Sequence, residues 1–400
     1  MFSVVEHQSY DLSQRRDISG EIFPESGPVL VFDRSEAIEG EQIRTYLLHV
    51  RRANPTLVER MFNTNGEWIL TDAQNADIYS MDPGELDSHL DSYTQYIGDL
   101  VQVALDGQKS YGFNTHDDTH FDHVVTEGLK LLKVGRSTPK NVLRRFVAAA
   151  RGHDLGNVVS RRMHSTVSPL IFKRMFPSVE RDSAQWEIIS RAMELHDEKV
   201  LADAIYGWGP LNAEQVINRL SDLGPELLAL LIADKTHVGP DRVPNKIEES
   251  LRNEAVNDPH IEVNSSGKTT KVGLGNDRKT FEWEMTYEPP RSDTKVGKRV
   301  SERLKRMRDS EDEPYFTAWE NSLWRIYHAR INLTVLSAYA LYPQLENFKL
   351  ILRDAETGRK IEQPFERKEL DTRLRQLAYE RKYAKKPKDR SDVSMVRNHL

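Results

Sequence analysis

Gly152-His153-Asp154-Leu155-Gly156-Asn157 follows directly on Val147-Ala148-Ala149-Ala150-Arg151, and this junction decides how the middle of the chain folds. A row of small apolar residues lets a helix approach its neighbours closely, and Gly152 is a helix stop, so the pattern predicts a helix over 139–151 from whose end His153 and Asp154 emerge. A carboxylate in such apolar surroundings is costly unless a cation offsets it. The His-Asp pair supplies one neutral nitrogen ligand and one carboxylate able to bridge. A few further histidines and one acid would complete a site for two metal ions.

Working outward, each candidate partner falls on a predicted helix or at its end. His116, His120 and His123 are spaced i, i+4, i+7 and crowd one face of a helix over 117–133; His120 is taken as the ligand, with His116 nearer the substrate mouth. His164 opens the helical run Val167, Leu170, Ile171, Met175 within 163–176, and His196 closes Trp186, Ile189, Ala192, Met193 within 182–196. Asp234 ends Leu227, Leu228, Leu230, Leu231, Ile232 in a helix over 225–237. An acid at the end of so apolar a helix, beside Lys235, is hard to explain as a surface residue. A further helix covers 213–222, and Pro139, Pro177, Pro210 and Pro225 sit at or between segment ends, where breakers belong.

The chain has 400 residues, 38% hydrophobic and 30% charged, with no cysteine and a net charge of -6. That length exceeds a single core and predicts two or three domains in a mainly α protein. The segment 1–81 reads as mixed α/β, with a strand at Val29–Phe32, a helix over 41–52 and a turn at Asn63-Thr64-Asn65-Gly66. The helical catalytic domain spans 82–257 and begins with the amphipathic stretch from Tyr93 to Ala104. An α+β accessory domain follows over 258–365, with strands at 269–274, 280–287, 331–342 and 348–353 and helices at 294–308 and 315–329. Trp319, Trp324, Tyr327 and Tyr339 read there as core rather than as a stacking platform for bases. Residues 366–400 form a basic helical tail with 11 Lys or Arg against 6 Asp or Glu. Around Lys382 to Arg390 this tail reads first as a solvated helix and only secondly as a nucleic-acid contact.

Without cysteine, disulfides and thiolate zinc sites are excluded, so a metal must be held by His, Asp and Glu, and a reducing cytoplasmic setting is expected. No apolar run is long enough to suggest a membrane span. A homo-oligomer is compatible with the sequence.

The ordered series His120, His153-Asp154, His164, His196, Asp234 resembles the HD superfamily of metal-dependent phosphohydrolases over about residues 114–243. Asn114-Thr115-His116-Asp117-Asp118-Thr119-His120 and Ala233-Asp234-Lys235-Thr236-His237-Val238-Gly239-Pro240-Asp241-Arg242 are also similar to a microbial subgroup of HD phosphatases and phosphodiesterases. The resemblance implies an all-helical HD-type domain in which His120, His153, Asp154 and Asp234 hold one metal, His164 and His196 hold a second, and Asp154 bridges them. Two departures stand out: Arg151-Gly152 replaces bulky apolar residues before the His-Asp pair, and Asp197 follows His196 where some two-metal members carry histidine.

The implied activity is hydrolysis of a phosphomonoester or phosphodiester, with a nucleotide or cyclic nucleotide as the favoured substrate, by metal-activated water. Asp154, Lys235 and His116 are the expected catalytic residues, with His123 as a second choice of acid. Lys235, Arg242, Arg161 and Arg162 are the cations available for phosphate. Nitrogen and oxygen ligands suit manganese, iron, cobalt, nickel, magnesium or zinc. Two alternatives remain open on the sequence: a di-iron oxygenase of the same superfamily, and a regulatory protein that binds a nucleotide without cleaving it.

Overall fold

The structure is a computed structural model that describes residues 76–91, 118–134, 137–158, 164–243, 259–290, 293, 295–307, 314–372 and 374–375. The elements expected at 29–32, 41–52 and 93–104, and nearly all of the basic tail, lie outside these residues.

The described chain opens with helix α1 (83–91). It continues through α2 (Asp118–Lys133), α3 (Lys140–Gly152), α4 (His164–Met175), α5 (Ser183–Leu195), α6 (Glu198–Gly207), α7 (Ala213–Asp222) and α8 (Pro225–Thr236). The helices expected at 117–133, 139–151, 163–176, 182–196, 213–222 and 225–237 are present to within a residue or two; α1 and α6 had no separate expectation. The centre of the fold is α8, which packs against α2, α3, α5, α7 and α11 (Tyr315–Leu341). Every α8 residue from Glu226 to Thr236 is buried. That explains its near-continuous apolar sequence, since a helix covered on all sides has no polar face to alternate with. Pro225 starts it at a position where the missing N–H costs nothing. Its one buried acid near the start, Glu226, is met by Arg145 Nη2 at 2.6 Å.

After α9 (Pro259–Ser265) come strands β1 (Gly267–Leu274) and β2 (Thr280–Tyr287), helices α10 (Lys295–Met307) and α11, then β3 (Asn347–Asp354) and β4 (Lys360–Glu366). The sheet order is β1-β2-β3-β4. The outer pairs are antiparallel hairpins, whereas β2 and β3 run parallel with Trp283 opposite Leu350. A parallel pair needs a long crossover, supplied here by α10 and α11. Phe281, Trp283, Met285 and Tyr287 alternate along β2 and are all buried, with Tyr287 against Trp319 of α11 at 5.6 Å between ring centroids.

One expectation is corrected. Ile331–Tyr342 is not a strand: residues 331–341 are the last part of the 27-residue helix α11, and Tyr342 caps it. Leu333, Val335, Leu336, Ala338, Tyr339, Ala340 and Leu341 are all buried, so the segment lost the polar face that marks a helix and kept only an apolar, β-branched composition. Trp319, Tyr327 and Tyr339 are fully buried core residues, as read from the sequence.

Helix α11 also carries the core of the C-terminal part into that of the helical part. Ser221 Oγ donates to Ala340 O at 3.0 Å, and Tyr342 Oη donates to Leu131 O at 2.7 Å. Arg330 Nε reaches Glu198 Oε2 at 3.0 Å. The strand edge is anchored as well, with Thr269 N donating to Val238 O at 2.8 Å just beyond the end of α8. Among the described residues no helix is long and apolar enough to cross a membrane.

Arg151, at the position before Gly152, has a structural task. It is buried, and its guanidinium holds Asp87 and Asp91 of α1 at 2.8 Å each and Asp122 of α2 at 2.7 Å. One cation therefore ties three helices together behind the site. Arg151→Ala is expected to lower stability by ~2 kcal/mol, less than for a fully buried pair because the three carboxylates retain solvent contact. Urea denaturation, with the midpoint shifted and the slope unchanged, checks this.

Candidate metal centre

Three helix ends meet at one place. His153 caps the C-terminus of α3, His196 that of α5 and His237 that of α8. Each C-terminus carries roughly half a negative charge from its unsatisfied carbonyls. Asp154 and Asp234 add two carboxylates at the same ends, so the backbone and the side chains together create a buried negative potential.

All six predicted ligands converge there. Potential ligand atoms of His120, His153 and Asp154, of His153, His196 and Asp234, and of Asp154, His164 and His196 form three overlapping groups, each within 4.8 Å. Asp154 stands between two halves. Its Oδ2 lies 3.5 Å from His120 Nε2 and 3.2 Å from His153 Nε2, while its Oδ1 lies 3.3 Å from His164 Nε2 and 3.5 Å from His196 Nε2. His120 Nε2 is 3.4 Å from Asp234 Oδ1, and the Nε2 atoms of His164 and His196 are 3.1 Å apart. Two donors bound to one cation at ~2.0–2.2 Å and separated by a tetrahedral or right angle lie ~2.8–3.6 Å from each other. The spacings fit a shared cation better than direct hydrogen bonds, most of them being longer than the ~2.7–3.2 Å of N–H···O contacts.

The tautomers point the same way. His153 Nδ1 is 2.7 Å from Ala150 O and His196 Nδ1 is 2.5 Å from Met193 O. A carbonyl only accepts, so each Nδ1 carries the proton and each Nε2 presents a lone pair to the carboxylates. His153 Nε2 is fully buried and makes no hydrogen bond among the described residues. Lone pairs facing carboxylate oxygens repel unless a positive charge lies between them. Burial alone would lower the pKa of His153, yet Asp154 and Asp234 hold it above the ordinary histidine value. The carboxylates thus draw positive charge to this nitrogen, where a proton and a metal compete. At His120 burial wins, helped by Arg242, and its pKa falls to about 4.

The loop after Asp154 is tightly braced. Asn157 Nδ2 donates to Asp154 Oδ1 at 2.9 Å, fixing the bridging carboxylate. Ser168 Oγ accepts from Gly156 N at 2.8 Å and lies 2.5 Å from His153 O and 2.8 Å from His164 O. A side chain at Gly156 would collide with the His164 carbonyl, and one at Gly152 would collide with Met193 and stand 2.7 Å from Phe172 Cδ2. These two glycines allow the His-Asp turn to lie flat against α4 and α5.

Around the acids stand cations. Lys235 Nζ pairs with Asp234 Oδ2 at 2.6 Å. Although burial works against ionisation of Asp234, Lys235 and the neighbouring histidines hold its pKa well below the usual carboxylate range. Arg242 is buried, and its Nε and Nη1 have no hydrogen-bond partner among the described residues. His116, Arg161 and Arg162 lie outside the described residues. His123 is half-buried and stacks on His237 with ring centroids 3.7 Å apart, and burial lowers its pKa to about 4.

Sequence reasoning missed three participants. Asp197 Oδ2 lies 3.9 Å from His164 Nε2, and its pKa falls to about 2 because His164, Lys235 and His196 outweigh its burial. Its other oxygen accepts from Lys199 N at 2.8 Å and so starts α6. His237 contacts His120, and Arg330 of α11 pairs with Glu198 at 3.0 Å; burial works against its charge, but Glu198 raises its pKa, with Tyr327 and Asp234 adding to the effect. The signal for Asp197 was present as a second His-Asp pair, His196-Asp197. Nothing local marks Arg330.

Comparison with family models, with curated proteins and with solved structures gave no match.

Proposed function

We propose that this chain is an HD-type metal-dependent phosphohydrolase acting on a phosphomonoester or phosphodiester, with a nucleotide or cyclic nucleotide as the favoured substrate. What supports the reading is that imidazole nitrogens and carboxylates converge around Asp154, beside Arg242, whose buried Nε and Nη1 have no hydrogen-bond partner among the described residues. His120, His153, Asp154 and Asp234 would hold one divalent ion. His164, His196 and Asp154 would hold a second, with Asp197 beside it. Such ions activate water at neutral pH and neutralise charge on a phosphoryl group.

The residues around them do the rest. Asp154, held by Asn157, keeps the two halves in register. Arg242 offers two separate buried donors, Nε and Nη1, and a fixed positive charge to an anionic group. Lys235 screens Asp234, so that an anion approaching Arg242 meets less repulsion. His116 is assigned the protonation of the leaving oxygen on sequence grounds.

Purified protein loaded with manganese and offered nucleotides, cyclic nucleotides and aryl phosphates is expected to hydrolyse at least one class, with turnover abolished by a chelator. Absence of turnover throughout the panel in metal-replete protein would overturn the reading. Oxygen consumption by an iron-loaded sample would replace it with the oxygenase alternative.

A further inference from the structure

A line of three side chains leads from the buried metal-facing nitrogen of His120 to the surface. His120 Nδ1 is 2.9 Å from His237 Nδ1, and His237 Nε2 is 2.9 Å from Asp241 Oδ2. His237 is buried and lies nearly parallel to both neighbours, at 8° to His123 and 11° to His120. Asp241 is at the outer end, in the 3-10 turn Pro240–Arg242, and is exposed.

Asp241 fixes the hydrogen positions along this line. An ionised carboxylate only accepts, so His237 Nε2 carries a proton and His237 Nδ1 keeps its lone pair. The Nδ1···Nδ1 contact then needs a proton on His120 Nδ1. That leaves the lone pair of His120 on Nε2, the atom 3.5 Å from Asp154 Oδ2 and 3.4 Å from Asp234 Oδ1. His153 and His196 obtain the same tautomer from backbone carbonyls. His120, in the first turn of α2, has His237 at its Nδ1 instead, and its tautomer follows from a carboxylate two side chains away.

We propose that His237 and Asp241 are positioning residues which set the tautomer and ring angle of His120, and thereby tune metal affinity from outside the ligand set. The inference rests on the metal-site reading above. Partners that orient a ligating histidine are generally worth ~10–100-fold in metal affinity. His237→Phe keeps the ring stacked on His123 but removes the acceptor for His120. Asp241→Ala removes the outer acceptor at an exposed position, and Asp241→Asn restores a neutral one.

The test uses the full chain in two measurements. Calorimetric titration with Mn²⁺ is expected to show affinity reduced ~10–100-fold in His237→Phe, reduced less in Asp241→Ala, and largely recovered in Asp241→Asn. Nitrogen-15 spectra of the histidines, recorded after chelation, are expected to show His120 protonated at Nδ1 in the parent and as a tautomer mixture in both His237→Phe and Asp241→Ala. An unchanged His120 tautomer in Asp241→Ala overturns the relay, even if His237→Phe fails to fold. A parent protein that binds no Mn²⁺ overturns the metal site, while the spectra still decide the relay.

Discussion

Asp154→Asn is expected to abolish binding at both halves of the metal site while leaving the chelated protein at least as stable as the parent. The first half of that expectation follows from geometry. One carboxylate faces four imidazoles, two through each oxygen, at 3.2 to 3.5 Å. Losing its charge therefore weakens both cations together, and turnover should fall by ~10³-fold or more, as expected when metal-dependent generation of the nucleophile is lost. The second half follows from the lone pairs. In the chelated protein Asp154 adds negative charge where three helix C-termini already converge, and apart from the Asn157 amide it faces the Nε2 lone pairs of His120, His153 and His196. Asparagine removes that charge and can turn its amide N–H towards His153 Nε2, which makes no hydrogen bond among the described residues of the parent. Its carbonyl can still accept from Asn157. A gain of ~1 kcal/mol in the presence of chelator is the expected size for one new buried hydrogen bond. Elemental analysis and denaturation with and without chelator measure the two halves separately. If Asp154→Asn lost several kcal/mol under chelation, Asp154 would be the partner of a protonated His153 in a structural ion pair, and the metal reading would fail.

Much of this centre was legible because each ligand terminates or opens a helix whose apolar residues recur at helical spacing. His153-Asp154 after the alanine run, His196 after Met193 and Asp234 after Ile232 announce themselves in that way. A ligand at a helix end is thus located by the helix that carries it. What stayed hidden depends on distant partners. The role of His237 is invisible until α2 and α8 are packed, and Arg330 belongs to α11, which continues to Leu341. That continuation was missed for the reason that makes it important: a helix buried on every side presents no polar periodicity. Arg151 shows the converse case. Its departure from the apolar pattern before the His-Asp pair is accounted for by three carboxylates on α1 and α2, none of them close in sequence.

Arg242→Met is expected to raise stability and remove activity in the same molecule. Burial pushes the Arg242 guanidinium below its ordinary pKa even though Asp234 and Asp154 favour its charge, and Arg330 adds repulsion from α11. Its Nε and Nη1 are buried with no partner among the described residues to replace water. A charged group so placed is a cost to the fold that a bound anion would offset. Methionine follows the path of the arginine stem, fills similar volume and brings no unsatisfied donor. The expected gain is ~1–2 kcal/mol, read as a higher denaturation midpoint. The expected loss in kcat/KM on a phosphate ester is ~10²–10³-fold, because a buried donor pair acts on phosphoryl charge with little screening. Inhibition by inorganic phosphate should weaken in parallel. Lys235→Met is the contrasting variant: its ammonium is paired with Asp234 at 2.6 Å, so removing it strands a buried carboxylate and should destabilise the fold. Were Arg242→Met to behave like Lys235→Met, Arg242 would be a structural counter-ion to the acids. The opposite sign, with stability gained and phosphate handling lost, is what an arginine held ready for an anionic substrate requires.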